Sequence, residues 1–406
     1  MKHYVFLFGS YYPDAGSTSL CTINVIKALQ EHGDVNITCV CRNEGNSIVE
    51  QRDGLVIHRV ETNSWSRKFA SVRGIKKLIL YFQRIINDVI NFYNYPDSNK
   101  IYSRKLYREL ELINQTHPID AIVATYMPFQ TVSAALMFKD KHNNVPVVGY
   151  FLDTMRGKKL PLVSRKRYLK ICDKAEHNTF AKLDRIILMK YAEYMFASKI
   201  FDDVRHKMVF LSFPSLRIRN IDETHINKYN CCFIGSTYKE IRNPYYALQV
   251  FDKVSKKIPD VRFQIIGKSD MSETLMKWAE SHPQSFSFQG FISSDRIEAI
   301  YDVTDYIVSI GNKSKGVVPG KTFEIFGKLK PIIHFTDEEN DSALEYIRQY
   351  PNVCIINMKE SITDSANQII DFLQKPYTYT DPIYIEKTYS SATPKAAVEV
   401  ILSVIR

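Results

Sequence analysis

The sequence predicts an α/β protein made of two successive domains, each with a parallel β-sheet flanked by helices. The chain has 406 residues, and single hydrophobic cores stop growing at roughly 250–300 residues, so two domains are expected. Hydrophobic residues make up 45% and aromatic residues 12% of the chain, enough for two packed cores. Short apolar runs alternate with helical patterns along both halves, and such alternation is typical of βαβ units.

The N-terminal half opens on a strand, a loop and a helix. Tyr4–Phe8 is an apolar run, and a turn-rich loop follows from Gly9 to Gly16. Apolar residues at helical spacing then lead to Gly33, and Val35–Cys41 is again strand-like. Gly9 and Gly16 do not have the spacing of a dinucleotide-binding loop. Later apolar runs extend the predicted sheet: Leu55–Val60, Ala121–Thr125, Val145–Phe151, Arg185–Met189 and Met208–Leu211.

The apolar signal weakens at 212–229, and we place the interdomain linker there. A second strand and helix series follows, so the predicted domains are 1–215 and 228–378. The tail 379–406 ends in a helical pattern that is expected to return to the first domain. The predicted elements of the second series are Asn230–Ile234, Pro244–Lys256, Arg262–Ile266, Met271–His282, Asp295–Tyr301, Tyr306–Ile310 and Val353–Ile356.

Basic charge is concentrated in one segment. The chain has a formal net charge of +10, and residues 65–108 contain ten Lys and Arg against Asp88 and Asp97. Residues 72–93 form an amphipathic helical pattern, with Arg73, Lys76, Lys77 and Arg84 opposite the apolar side. Either the helix packs on its domain, or it rests on anionic lipid or receives a charged acceptor. Its aromatic residues lie on the apolar side rather than between the charges, so no nucleic acid is expected.

No apolar run approaches the roughly 20 residues that a membrane span needs. The first apolar run is also too short for the core of a signal peptide. Seven cysteines without framework spacing are expected to be reduced. We therefore expect a cytoplasmic protein, and the basic segment leaves a peripheral location at the inner face of a membrane open.

The segment 311–333 is the most informative for function. Pro319 and Gly320 precede a periodic stretch, Lys321–Lys328, and an apolar run, Pro331–His334. A helix that begins here would direct free backbone N–H groups and the positive end of its dipole outward, where phosphate binds. Glu324 falls in the first turn, where a carboxylate accepts hydrogen bonds from sugar hydroxyls. The pattern predicts a nucleotide-sugar site.

Six segments of the chain carry a family resemblance. Four lie in the C-terminal half, in the order FIGSTYKEIRNP, RFQIIGKSD, FSFQGFIS and VPGKTFEIFGKLKPII, and two lie near the N-terminus, GSYYPDAGS and ALQEHG. Their order and spacing resemble retaining glycosyltransferases of the GT-B fold, of the group 1 or family 4 type. The resemblance covers most of the chain. It implies two facing Rossmann-like domains with a C-terminal helix that crosses back to the N-terminal domain.

The resemblance also implies an activity. A sugar would pass from a nucleotide-sugar, bound by the C-terminal domain, to a glycan or lipid-linked acceptor on the N-terminal domain, in surface polysaccharide biosynthesis. Such enzymes are thought to react through a front-side step in which the leaving diphosphate helps to deprotonate the acceptor. Stabilising charge on the diphosphate is then the main task, and no metal or other cofactor is expected.

The resemblance assigns donor-binding roles. Glu324 would hold the ribose, and Lys321 with the backbone near Gly320 and Thr322 would meet the diphosphate. The family arginine that directly follows the first glycine is replaced here by Ser236, and Lys239 or Arg242 is the expected substitute. Each charged group has an ordinary alternative as a solvated surface or helix-end residue. The remaining donor-side candidates are Gly235, Gly267, Lys268 and Phe291.

Two departures from the family concern the transferred sugar. Gly316 stands where the family has its first glutamate, which leaves the backbone of 314–318 for the sugar. The family histidine is replaced in ATYMPFQT by Thr125 or Tyr126, and Tyr126 is a poor base near neutral pH. Asp153, at a strand end, is a candidate base or acceptor-binding group, with a helix cap as the alternative.

The catalytic candidates are therefore Asp153, Tyr126 and Lys321, and the acceptor-side loop is Gly9, Ser10, Tyr11 and Gly16. Two other functions stay open. A sugar-nucleotide epimerase or hydrolase of the same architecture would need acid and base groups that the sequence does not reveal. A non-catalytic nucleotide-sugar-binding protein would fit the missing glutamate and histidine.

Overall fold

In the computed structural model the chain forms two compact units, Met1–Pro214 with Pro394–Arg406, and Ser215–Thr393. The structure describes residues 1–62, 72, 74–76, 78–83, 95–156, 164–219, 229–292, 294–313, 318–376 and 380–405. Each unit has a parallel sheet with helices, so the predicted fold class is confirmed.

The first unit contains an eight-stranded sheet in the order β3-β4-β2-β1-β5-β6-β7-β8. Every pair is parallel except β3 with β4. The central strands are buried on both faces, which explains their continuous apolar runs. The strands are β1 Lys2–Phe8, β2 Val35–Asn43, β3 Ile48–Arg52, β4 Leu55–Glu61, β5 Ala121–Thr125, β6 Val147–Phe151, β7 Arg185–Met189 and β8 Met208–Leu211.

Besides the helical residues 75–76 and 78–83, the described part of the first unit has four α-helices between these strands: α1 Ser17–Gln30, α2 Lys100–Thr116, α3 Phe129–Lys141 and α4 Arg165–Lys182. Short 3-10 turns at Lys190–Phe196, Lys199–Phe201 and Arg205–Lys207 link β7 to β8. α2 begins where the Asn99 side chain accepts a hydrogen bond from the Tyr102 N–H, and it buries Leu106, Leu110 and Ile113.

The second unit contains a six-stranded parallel sheet in the order β11-β10-β9-β12-β13-β14. Its strands are β9 Asn230–Ile234, β10 Arg262–Ile266, β11 Phe286–Gln289, β12 Tyr306–Ile310, β13 Ile332–Thr336 and β14 Val353–Asn357. Numbered within the unit, the order is third, second, first, fourth, fifth, sixth. This is the doubly wound nucleotide-binding order, and its direction reverses between β9 and β12.

The helices that flank this sheet in the residues that the structure describes are α5 Tyr245–Lys257, α6 Ser272–Ser281, α7 Ser294–Val303, α8 Lys321–Phe326, α9 Leu344–Ile347, α10 Ile362–Gln374 and α11 Pro382–Thr388. Alternate residues of β12 and β13 face opposite sides. Val308 and Phe335 belong to the core that also contains residues of α5 and α10. His334 therefore lies on the other face.

The C-terminal tail forms a short 3-10 turn, Ser390–Ala392, and helix α12, Pro394–Leu402. α12 packs on α1 and on β7 and β8 of the first unit. It buries Ala397, Val398 and Ile401 in a core shared with residues of β1 and α1. The last helix thus returns to the first unit, as the fold prediction required.

The described part of the basic segment has an uncovered apolar side. Residues 75–76 and 78–83 are helical, and Ile75, Leu78, Ile79 and Phe82 are between 52% and 80% exposed. For these four side chains, the prediction that the helix packs its apolar side on the domain is therefore wrong. Arg73, Lys77 and Arg84 lie outside the described residues. Across the parts that the structure describes, no helix combines the length and hydropathy needed to cross a bilayer.

Candidate nucleotide-binding site

The second unit brings several of the predicted donor-site residues to one edge of its sheet. β9 and β12 are neighbours in the sheet, but the strand that follows β9 lies toward one edge of the sheet and the strand that follows β12 lies toward the other edge. Their C-terminal ends lead into Gly235-Ser236 and Gly311-Asn312. Ligands of open α/β sheets bind at such a reversal, outside the carboxyl ends of the strands, because the diverging loops leave a crevice there.

A close approach of two backbones shapes this edge. Gly267, directly after β10, has a φ of +142°, and a Cβ atom there would lie 2.0 Å from the carbonyl oxygen of Gly235. Only glycine fits such a position without displacing the neighbouring loop. The Gly235 N–H in turn donates to the carbonyl of Ile266. The two glycines that the sequence predicted for the donor site therefore allow the backbones at the ends of β9 and β10 to approach closely.

Arg242 carries a positive charge at the reversal point, with its Nη1 3.8 Å from where a Cβ atom on Gly235 would lie. A short turn, in which Tyr238 and Arg242 exchange two backbone hydrogen bonds, folds the arginine back toward the strand ends. Its guanidinium donates from Nε and Nη2 to Oδ1 of Asn312, at 3.1 and 2.7 Å. Nη1 donates to the carbonyl of Ser236. The side chain thus bridges the loops after β9 and β12.

The electrostatics of Arg242 favour an anionic ligand. It forms no salt bridge with any described residue, and burial lowers the pKa of its guanidinium, although the nearby Asp341 carboxylate opposes this. A half-buried cation without a directly bound carboxylate gains stability when an anion arrives. Lys239, the other predicted substitute, is exposed, and its backbone N–H donates to Asp270.

Helix α8 is shorter than the sequence pattern predicted. It ends at Phe326 instead of Lys328, because the chain continues as a turn in which the N–H groups of Lys328 and Leu329 donate to carbonyls three residues earlier and Leu329 has a φ of +57°. Six residues make less than two turns, so its dipole supplies little of the phosphate affinity that the sequence pattern suggested.

Glu324 lies in the first turn of α8, with Lys321 beside it. Lys321 Nζ is 3.2 and 3.4 Å from the two carboxylate oxygens of Glu324. Thr322 is buried, and the Gly320 carbonyl accepts a hydrogen bond from Ser215. The pair leaves part of each side chain accessible. This geometry fits a carboxylate that exchanges a lysine contact for ligand hydroxyls.

A small cavity lies between these residues and the sheet. Its volume is about 30 Å³, and Arg242, Tyr301, Lys321 and His334 contribute to its lining. It has room for one or two water molecules and not for a nucleotide. A nucleotide would therefore lie above the cavity, over the strand ends.

Lys268 and Phe291 lie beyond β10 and β11. The Lys268 ammonium is 5.0 Å from the centre of the Phe291 ring, which is 72% exposed. An exposed aromatic face at this edge can stack on a base. Gly316, the remaining donor-side candidate, lies outside the described residues. Within the described residues, no group of three or more His, Cys, Asp and Glu side chains is placed to hold a metal ion.

The acceptor-side loop is found at the corresponding reversal of the first sheet, between β1 and β5. A Cβ atom at Gly9 would lie 3.1 Å from the carbonyl of Met127 in the loop after β5. Ser10 donates from its hydroxyl to the carbonyl of Asp14, and its N–H donates to Ser19. Tyr11 is fully buried and donates to Asp53. Gly16 is the residue that precedes α1.

Tyr126 and Asp153 end neighbouring strands of the first sheet. Tyr126 stacks on Phe151, and burial, followed by the charge of Asp153, raises the pKa of its hydroxyl. It therefore stays protonated and can donate a hydrogen bond. Asp153 is accessible to solvent, yet its surroundings remove enough water to raise its pKa. The next described helix begins at Arg165 with Ser164 as its cap, so Asp153 does not cap it.

The turn that carries Asp153 is held by groups that the sequence did not single out. Arg156 donates from Nε and Nη2 to Oε2 of Glu176, at 3.0 and 2.8 Å, and Glu176 is 1% exposed. Tyr95 donates to the carbonyl of Met155 in the same turn. These contacts link residues 20 and 60 positions apart, so no local spacing indicated them.

No family model matches the sequence, and no curated protein matches it. Solved structures do. The apo form of the lipopolysaccharide outer core galactosyltransferase WaaB is similar, with a TM-score of 0.54 and 11% identity over 99% of both chains. The UDP-forming α,α-trehalose-phosphate synthase of Burkholderia vietnamiensis has a TM-score of 0.58 and 10% identity over 100% of this chain and 97% of its own.

A plant enzyme gives a similar result. The catalytic domain of Starch Synthase IV from Arabidopsis thaliana, bound to ADP and acarbose, has a TM-score of 0.57 and 9% identity over 100% of this chain and 99% of its own. At such identities a structural match speaks for the fold rather than for the chemistry. The chain therefore has the GT-B fold of these glycosyltransferases.

Proposed function

We propose that this protein transfers a sugar from a nucleotide-sugar to a glycan or lipid-linked acceptor. The observation that carries the proposal is Arg242, half-buried at the reversal point of the second sheet and without a salt bridge to any described residue. Glu324, in the helix α8 that connects β12 to β13, offers a carboxylate for the ribose. The first sheet presents Tyr126 and Asp153 at its own strand ends for the acceptor.

The proposed chemistry uses charge in place of a metal. As the bond between sugar and diphosphate breaks, negative charge grows on the leaving oxygen, and Arg242 and Lys321 stabilise it. The acceptor hydroxyl loses its proton to the leaving diphosphate or to Asp153. Retention of the anomeric configuration, a place in surface polysaccharide assembly and a cytoplasmic location are parts of the same proposal, supported by the resemblance of the sequence.

Two other functions predict different products. A hydrolase or epimerase would consume nucleotide-sugar without an acceptor, and a binding protein would not consume it.

Incubation with UDP-, GDP-, ADP- and CMP-sugars is expected to raise the melting temperature of the protein with at least one of them. Glu324→Gln is expected to weaken that shift, while Glu345→Gln, an exposed carboxylate on α9, keeps it. Stabilisation by none of the sugars contradicts the proposal.

We further propose that the helical residues 75–76 and 78–83 rest on an anionic membrane. Ile75, Leu78, Ile79 and Phe82 are exposed on a segment whose sequence is strongly basic. Apolar side chains that insert at the level of the headgroups, with cations beside them, are the pattern of an interfacial helix. A glycan acceptor carried by a lipid would be reached from such a position.

Vesicle co-sedimentation tests this surface. Vesicles of phosphatidylcholine with phosphatidylglycerol are expected to bind the wild type, less as salt increases. Ile79→Ser with Phe82→Ser is expected to reduce binding at least fivefold, and charge reversal at Lys76, Lys77 and Arg84 to abolish its salt dependence. Ile383→Ser, which removes an even more exposed apolar side chain on α11, is the control. Unchanged binding by both test variants refutes the proposal.

A further inference from the structure

A buried carboxylate lies directly behind the reversal point. Asp341 follows β13, and its side chain is fully buried. Its Oδ2 accepts hydrogen bonds from Nε2 of His334 at 2.7 Å and from the Thr336 hydroxyl at 3.0 Å, and its Oδ1 accepts the Ala343 N–H at 2.9 Å. Burial alone would raise the pKa of Asp341, but these donors hold it below the ordinary value. Asp341 is therefore a buried anion.

This anion lies against the loop that holds Arg242. A Cβ atom on Gly311 would be 2.0 Å from Asp341 Oδ2, so the carboxylate packs against the Gly311 backbone. The next residue, Asn312, accepts two of the three hydrogen bonds that the Arg242 guanidinium donates. The contacts run without a gap from His334 through Asp341 and the loop to Arg242.

The charge of Asp341 reaches Arg242 without a direct contact. Its negative charge opposes the fall in the pKa of Arg242 that burial causes. The two side chains form no salt bridge, and Asp341 directs its oxygens to His334, Thr336 and Ala343. A carboxylate bound directly to the guanidinium would compete with a ligand phosphate, whereas a carboxylate behind the loop does not.

We propose that Asp341, oriented by His334, is a positioning residue that fixes Gly311-Asn312 and thereby aims Arg242 at the diphosphate of the donor. The inference rests on the proposed function, because it assumes that a nucleoside diphosphate binds at the reversal point. It adds that the diphosphate contact, rather than the base or ribose contact, depends on the buried pair.

The test compares diphosphates with monophosphates. Titration calorimetry with UDP, GDP, ADP and CDP, and with UMP, GMP, AMP and CMP, gives the affinity ratio for each base. In the wild type, the best-bound diphosphate is expected to bind at least tenfold more tightly than its monophosphate. Asp341→Asn and Arg242→Gln are each expected to remove most of this ratio, and the double variant to lose little more, since both act on one contact.

The control is Asp337→Asn, a change of the same type four residues earlier. Asp337 is partly buried, its Oδ1 lies 3.8 Å from Lys359 Nζ, its Oδ2 accepts a hydrogen bond from Asn340, and the guanidinium of Arg242 donates to Asn312 and Ser236 instead. It is expected to keep the ratio. If Asp341→Asn does not fold, Gly311→Ala replaces it, because the new methyl group presses on Asp341 without removing any charge.

The outcomes separate the two proposals. If the wild type binds none of the nucleotides, the proposed function fails, and this inference fails with it. If the wild type prefers diphosphates and Asp341→Asn or Gly311→Ala keeps the wild-type ratio, only the positioning role is overturned. Equal losses of diphosphate and monophosphate affinity would mark general damage to the fold and would also overturn it.

Discussion

Gly267→Ala tests whether the ends of β9 and β10 must approach as closely as the structure shows. The φ of Gly267 is +142°, and the new Cβ atom would lie 2.0 Å from the Gly235 carbonyl, where ordinary contacts begin at 3.4 Å. A side chain in such a backbone conformation costs about 1–3 kcal/mol. The loop after β9 must also move away, and this loop leads to Arg242.

The stability of the second unit is the quantity to measure. It is expected to fall by about 1–3 kcal/mol, which lowers the melting temperature of a unit of this size by roughly 2–12 °C. The chain has two tryptophans, and Trp278 lies in α6 of the second unit, stacked on His282. In a Trp65→Phe background, Trp278 fluorescence therefore reports on the unfolding of this unit alone.

Gly290→Ala is the matched control, because Gly290 also follows a strand but has no atom within 4 Å of a new Cβ and no positive φ. It is expected to be neutral, or stabilising by up to about 1 kcal/mol through the unfolded state. Equal stabilities of Gly267→Ala and the Trp65→Phe parent would refute the described geometry of this edge.

Three further predictions concern charge. Arg242→Gln is expected to weaken nucleoside diphosphate binding by calorimetry about 10–150-fold, the equivalent of one charge-assisted hydrogen bond of about 1.5–3 kcal/mol; an unchanged affinity would contradict the assignment. Because the pKa of Asp341 is lowered on folding, its stabilisation is complete above its ordinary pKa and is lost as pH falls through the folded value. The difference in unfolding free energy between wild type and Asp341→Asn is thus expected to be largest near neutral pH and to shrink below about pH 4, and a constant difference would show that the charge is irrelevant. Asp153→Asn is expected to reduce transfer at least tenfold with unchanged donor affinity, and wild-type activity is expected to rise with pH as Asp153 ionises above its ordinary range.

Much of the fold follows from local pattern. Most strands of the two sheets are predictable as short apolar runs, because central parallel strands are buried on both faces. β3 was missed, since Ile48–Arg52 is a mostly exposed antiparallel edge strand without an apolar run. The end of α8 was placed two residues too late, because residues 327–329 form a turn with a positive φ at Leu329, which the apolar periodicity does not indicate.

The site was predictable only in part. The strand ends and Glu324 followed from spacing and from the family resemblance. The sequence does not predict which of Lys239 and Arg242 lies at the strand ends, because this depends on the turn that folds residue 242 back onto residue 238. Asn312 and Asp341 were missed for the same reason. Their contacts join segments that are far apart along the chain and meet only when the sheet forms.

Sugar transfer itself is the most direct test of the proposed function. The nucleotide-sugar that stabilises the protein is prepared with a labelled sugar and incubated with wild type or Arg242→Gln, with and without a glycolipid extract. Sugar transfer requires that nucleotide is released only when extract is present and that the amount of label entering the glycan or lipid fraction equals the amount of nucleotide released. The Arg242→Gln variant is expected to transfer sugar far more slowly, as the proposed transfer by the wild type depends on this residue. Release of free labelled sugar at the same rate without extract, or no consumption under any condition, would contradict it.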